Sequence, residues 1–190
     1  MGVVAKMGKF SAADLKKLQK KLDKLQSTDI EAFLESCAKE LAARLLAKVI
    51  KRTPVGDYSK EVEVVAQKDS KNHKKGETYL KTVNPSGKKG GTLRRGWTSK
   101  THEEAAQGGS TSTAQAWAQQ LQINHVGNVL QIEVINPVEY ASYVEYGHRT
   151  ANHKGWVAGR FMLTISEQEI QDIAPNVLEA KITKFLKGAI

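Results

Sequence analysis

The sequence predicts an α+β fold in which an antiparallel β-sheet packs with N-terminal and C-terminal helices. Three observations predict it. Apolar residues recur at helical spacing from Ile30 to Val49 and again from Phe161 to Leu186. Two runs around Gly127-Asn128 alternate apolar and polar residues, the pattern of a half-buried hairpin. The helical patterns flank the alternating ones instead of interleaving with them, which favours an antiparallel over a parallel sheet. The chain has 190 residues, 40% hydrophobic and 26% charged, the makeup of one soluble globular domain. We therefore read residues 1–190 as a single domain carrying an N-terminal amphipathic helical extension (1–27) and a basic insertion (56–91).

Ser11 caps a helical run from Ala12 to Gln26, in which Leu15, Leu18, Leu22 and Leu25 form a narrow apolar stripe and the opposite face is mostly lysine. Such a stripe suits docking on a surface. A second helix runs from about Asp29 to Arg52, with Ser27, Thr28 or Asp29 as its cap. Ile30, Phe33, Leu34, Cys37, Leu41, Leu45 and Val49 mark its apolar face, while Ala38, Ala42 and Ala43 keep its flanks thin. Thr53-Pro54 ends it, because the residue before proline is pushed out of the helical region.

From Val55 to Gly91, Lys, Gly, Ser and Asn dominate, and Asn84-Pro85-Ser86-Gly87 is a strong turn. Short strands at Glu61–Val65 and Thr78–Leu80 make this an extended insertion with its own hairpin. Thr92 to Lys100 reads as a strand, with Leu93, Arg95 and Trp97 on one face. Gly108 to Thr113 is a flexible loop, followed by the hairpin runs Ala116–His125 and Val129–Asn136. Pro137 suits the first position of a helical turn over Val138–Tyr146. A polar loop with Trp156 leads to a helix over Phe161–Ile173, which Pro175 restarts or kinks. Val177, Leu178, Ile182, Phe185 and Leu186 give the last segment an apolar face, ended by Gly188.

Twenty-nine Lys and Arg against 20 Asp and Glu leave a net charge of +9. The excess sits in the lysine-rich first helix and between Lys68 and Arg95. It favours acidic partners without choosing among nucleic acid, anionic lipid and protein. The lone Cys37 permits no intramolecular disulfide and reads as a small buried hydrophobe. Met1 to Phe10 lacks the apolar core of a signal peptide, and no stretch approaches the ~18 apolar residues of a membrane span. Synthesis in the cytoplasm and no membrane partner are the expectation.

No set of residues for catalysis stands out. There is no Gly-rich loop leading into Lys-Ser/Thr, no His-Glu-x-x-His and no Cys-x-x-Cys. His73, His102, His125, His148 and His153 fall in loops or turns, and the five-residue spacing of the last two is a weak metal signal. Glu103-Glu104 and the pair Glu139 and Glu145 read as solvated acids rather than an acid–base couple. No catalytic, cofactor or metal residue is assigned, and the chain is read as a non-enzyme. Arg94-Arg95 ahead of Trp97 can grip phosphate or stack on a base; the plainer reading is a strand whose aromatic enters the core.

One pattern is more specific than composition. Residues 138–149 read Val-Glu-Tyr-Ala-Ser-Tyr-Val-Glu-Tyr-Gly-His-Arg, and Gly159-Arg160-Phe161-Met162 then opens a helix. Upstream stand Thr53-Pro54-Val55 and Gly91-Thr92-Leu93-Arg94-Arg95-Gly96-Trp97. Together these resemble the small phage tail-completion proteins, also called neck or minor tail proteins, whose members sit where head and tail join. In that family the two upstream pieces run together as Thr-Pro-Val-Asp-Thr-Gly-x-Leu-Arg; here a lysine-rich stretch from Gly56 to Gly90 parts them. The resemblance covers roughly Ala32 to Phe185.

The resemblance implies a structural subunit at the head-proximal end of a tail: completion, neck, terminator or collar. It implies a homo-oligomeric ring, with a hexamer as the family's number, and neighbours among tail tube, sheath or connector proteins. DNA would meet it only by passing through the lumen. The particle would be a virion or a headless, tail-like bacteriocin (a tailocin), assembled in the bacterial cytoplasm. Interface candidates are Arg94, Arg95, Trp97, Tyr146, His148, Arg149, Trp156 and Arg160. Glu145 is a candidate partner for Arg149 and Arg160, and Tyr140 and Tyr143 close the core. The alternative is a DNA-binding accessory protein of the particle; a small tail-associated hydrolase is a third reading.

Overall fold

The computed structural model describes residues 27–88, 90–108, 113–127 and 129–189. The helix expected over Ala12–Gln26, most of the loop after Gly108, and Asn128 lie outside them. In chain order the elements are α1 (Ser27–Arg52), β1 (Lys60–Val65), β2 (Thr78–Val83), α2 (Thr92–Gly96), α3 (His102–Gln107) and α4 (Ala114–Gln120). Then come β3 (Ile123–Val126), β4 (Val129–Ile132), α5 (Ala141–Tyr146), β5 (Gly147–Arg149), β6 (Trp156–Ala158) and α6 (Met162–Ala189). The class is α+β. The described strands form three two-stranded antiparallel ladders, β1–β2, β3–β4 and β5–β6, where the sequence suggested one sheet. No helix of the described residues is long and apolar enough to cross a membrane.

The chain divides into two compact units, one from Met1–Leu46, Ala114–Val134 and Ile165–Ile190, the other from Ala47–Thr113 and Ile135–Thr164. In the first, α1 and α6 run side by side. Phe33 stacks on Phe185 with ring centroids 4.4 Å apart, and the Lys181 ammonium donates to the Ser36 carbonyl at 2.8 Å. Cys37, Ala42, Leu46, Ala118 and Ile170 are buried there. Cys37 is therefore the small buried hydrophobe that its place on the helix suggested. β3 and β4 pair from Ile123↔Ile132 to Val126↔Val129. The His125 ring lies between Glu31, 3.7 Å from Nδ1, and Glu35, 3.5 Å from Nε2.

In the second unit, the insertion is a β-hairpin with register Lys60↔Val83 to Val65↔Thr78. Its loop folds on itself: the Gly76 N–H donates to Ala66 O, the Lys75 N–H to Asp69, and His73 stacks on Tyr79 at 3.9 Å. One face carries the half-buried Val62, Val64 and Tyr79; the other exposes Val65 and Leu80.

Four expectations are corrected. Thr92–Lys100 is not a strand but a short helix and turn. Gly91 enters it at φ 93°, the Arg95 N–H bonds to Gly91 O, and Leu93, Gly96 and Trp97 share the buried side at i, i+3, i+4 spacing. Ala116–His125 is helical through Gln120, because its Ala and Gln residues are strong helix formers and β-branched residues begin only at Ile123. The β4 ladder stops at Ile132; beyond it the Asn136 side chain donates to Leu93 O and accepts from the Val138 N–H. Finally, α6 runs through Pro175 as one helix and does not restart there; the proline leaves the Gln171 carbonyl without its helical donor.

Candidate functional site

The second unit assembles both halves of the sequence pattern. Thr53, fully buried at the end of α1, is the hub of the first half. Its hydroxyl donates to Val49 O at 2.6 Å and accepts from the Trp97 indole N–H at 2.7 Å. Its carbonyl, freed where Pro54 ends the helix, accepts two bonds from the Arg94 guanidinium, at 3.0 and 2.6 Å. Thr53-Pro54 and Leu93-Arg94 therefore meet although a long hairpin separates them in sequence. The feet of that hairpin close on each other: a Cβ on Gly90 would sit 2.2 Å from the Gly56 carbonyl oxygen. Arg95 is equally committed, donating to Ala105 O at 2.8 Å and Gly90 O at 3.1 Å.

The second half is a strand-and-turn lock around Glu145, which is buried. Its carboxylate accepts from the backbone N–H groups of Leu163 and Thr164 at 3.0 Å each, and from the Thr164 hydroxyl at 2.8 Å. These are unsatisfied first-turn donors of α6, so Glu145 caps that helix from a distance. The expectation that Glu145 pairs with Arg149 or Arg160 is thereby corrected. The Arg160 and Phe161 N–H groups bond to Val144 O and Glu145 O, which holds the chain against α5. Two glycines make this approach feasible. Gly147 has φ 89°, and a Cβ there would lie 2.5 Å from Val157 O; a Cβ on Gly159 would lie 2.3 Å from Glu145 O.

The lock displays a small hairpin, β5–β6, paired Gly147↔Ala158, His148↔Val157 and Arg149↔Trp156. By that register Arg149 and Trp156 share one face, while His148 and Val157 share the other. Tyr143 meets His148 edge-on at 5.8 Å. Trp156 is 63% exposed, Tyr146 62% and Tyr143 59%. Phe161 is also exposed, at a backbone φ of 48° that bulky residues rarely adopt. Among the described residues the guanidinium groups of Arg149 and Arg160 have no hydrogen bond or ion pair.

The eight candidates thus fall into two sets. Trp97 is 4% exposed, and Arg94 and Arg95 are spent on intrachain carbonyls, so these three build the interior. Tyr146, His148, Arg149, Trp156 and Arg160 gather on and beside the outward hairpin. Tyr140 and Tyr143, read as core, are 41% and 59% exposed. Partial burial raises the Tyr140 phenol above its usual range. It lines a pocket of about 250 Å³ with Pro54, Tyr58 and Gly91 at the foot of the long hairpin. Sequence reasoning missed the roles of Thr53 and Glu145; the signal was there in a Thr before Pro and a Glu ahead of a helix start.

Elsewhere, Glu31, Glu35 and His125 bring ligand-type atoms within 4.8 Å of one another. Each carboxylate faces a different ring nitrogen of His125. On the long hairpin, the Lys74 N–H and then His73 hold the Glu77 carboxyl below its usual range.

Compared with known proteins, residues 16–147 match the family model for the bacteriophage HK97-gp10-like tail component. No curated protein and no solved structure matches the chain.

Proposed function

The chain belongs to the HK97-gp10-like family of phage tail components, and from that premise we propose that it is a ring-forming subunit at the head-proximal end of the tail. The observation that carries this reading is the β5–β6 hairpin with its exposed Trp156, Tyr146 and Tyr143, and with Arg149 and Arg160 unpaired among the described residues. Trp, Tyr and Arg are the residue types that dominate protein–protein binding energy. Single exposed apolar residues are commonplace, but five aromatic or cationic groups on one rigidly locked turn make a patch. A ring needs a heterologous contact, in which this patch meets a different surface of the next copy.

The long hairpin β1–β2 serves in this reading as an arm toward an adjacent ring, tube or sheath protein. Its hydrogen bonds among the described residues stay within residues 60–83, and the stretch from Lys68 to Lys89 has seven basic against two acidic residues. An acidic partner surface fits it. Removing Lys60 to Lys88 is expected to spare folding and impair particle assembly; normal assembly by the deletion variant would overturn the arm.

The test of the ring itself is native mass measurement and particle imaging with Trp156→Ala combined with Tyr146→Ala. Loss of the oligomer and of tail completion with unchanged monomer fold is expected, and wild-type assembly would end the proposal. The DNA-binding alternative loses Arg94 and Arg95 as free groups and rests on net charge. Salt-dependent binding of a DNA duplex would favour it, and no binding at low salt would remove it.

A further inference from the structure

We propose that Glu31, Glu35 and His125 form a binding site for a divalent transition-metal ion of the zinc type, and that the ion pins the β3–β4 hairpin to α1. All three residues belong to the first unit. Glu31 and Glu35 stand one turn apart on α1, so their side chains leave the helix on one face. His125 comes to them from β3, where it pairs with Leu130 of β4. One ligand atom from each residue lies within 4.8 Å of the other two. The imidazole nitrogens stand 3.7 Å from Glu31 and 3.5 Å from Glu35. Ligand atoms held at ~2.0–2.2 Å around a tetrahedral zinc ion are ~3.4 Å from one another, so these gaps are close to those of a ligand shell. One ion takes one ring nitrogen. A turn of the imidazole or of a carboxylate supplies it, and none of the three side chains is buried.

Charge points the same way. The chain carries 29 Lys and Arg, yet among the described residues neither carboxylate has one as a partner, and His125 is what faces them. Like charges at i and i+4 repel on a helix, and a cation between them removes the repulsion. The donor set selects the ion. Imidazole with two carboxylates suits Zn²⁺ and its first-row neighbours, whereas Mg²⁺ and Ca²⁺ favour sites built of oxygen alone. Three protein ligands leave a position for water. The consequence lies in the hairpin. β3 and β4 pair over four residues each, and Val126 and Val129 at their turn are 60% and 64% exposed. A two-stranded ladder of that size is at best marginal in water and needs a support. Leu130 and Ile132 face Leu41 and Leu45 across a cavity of about 330 Å³, so packing alone leaves a gap there. An ion shared by His125 and α1 adds a second point of attachment. No spacing in the sequence announces this set, because His125 joins the two glutamates only through the hairpin.

The test uses the full chain, free of any histidine tag and stripped with a chelator. Zn²⁺ is titrated in by calorimetry. Binding is expected, and Glu31→Gln, Glu35→Gln and His125→Ala should each weaken it by more than about tenfold, the loss that even an outer partner of a metal ligand brings. His73→Ala removes the histidine that stands beside Glu77 on the long hairpin and should leave the affinity unchanged. No binding, or equal binding by the natural chain and the three ligand variants, overturns the site. A second measurement needs no variant. Amide hydrogen exchange in the natural chain is followed with and without Zn²⁺. Exchange about tenfold slower at Ile123–Val126 is expected once the ion is bound. Unchanged rates there, or protection confined to His148–His153, would refute the pinning of the hairpin.

Discussion

The segment from Arg94 to Trp97 and the hairpin from Gly147 to Ala158 draw on the same side-chain chemistry, and the fold uses it in opposite directions. In the first, the indole is 4% exposed and both guanidinium groups close on backbone carbonyls. In the second, Trp156 is 63% exposed and Arg149 has no partner among the described residues. What separates them is the supply of acceptors. Around α2, the Thr53 hydroxyl and the carbonyls of Thr53, Gly90 and Ala105 converge. Around β5–β6, the ladder and the Glu145 lock consume the backbone groups and leave the side chains facing out. Arg and Trp in a pattern thus mark either a buried brace or an exposed patch, and the local acceptors decide which.

Substitutions in the two segments should have opposite consequences. Trp97→Ala should cost about 3–5 kcal/mol in urea denaturation, the usual effect of deleting a buried indole; a loss near zero would mean that the first half is no brace. Glu145→Ala strips three charge-assisted bonds from the start of α6, and a loss of about 2–3 kcal/mol is expected from thermal unfolding. Thr53→Val keeps the shape but leaves the Trp97 N–H unpaired, for about 1–2 kcal/mol by the same measurement. Trp156→Ala should move monomer stability by no more than about 0.5 kcal/mol while abolishing oligomer formation in native mass spectra. A large destabilisation at Trp156 would place it in the brace class and remove the contrast.

Much of the fold was legible locally. The helix through Ile30–Val49, its end at Thr53-Pro54, the tight turn between β3 and β4 and the apolar face of the last helix all follow from short-range spacing. The misreadings arose where two periods fit the same residues. Leu93, Arg95 and Trp97 alternate, yet Leu93, Gly96 and Trp97 also fit one helical turn, and burial chose the second. Pro175 signals a break by its chemistry, but α6 continues through it. On the site side, the strip from Val138 to Arg160 was visible as a pattern, while the inward turn of Arg94, Arg95 and Trp97 was not.

By itself, then, the sequence determined the family, the α+β class, the basic insertion and the two glycines that let the chain cross itself at Gly147 and Gly159. Tertiary structure alone decided that the split motif rejoins, with Arg94 reaching a carbonyl 41 residues earlier, and that Glu145 caps a helix beginning 17 residues later. The physical reason is range. Periodicity and turn chemistry act over a few neighbouring residues and can be read from them. A hydrogen bond between distant residues exists only once packing has delivered its acceptor.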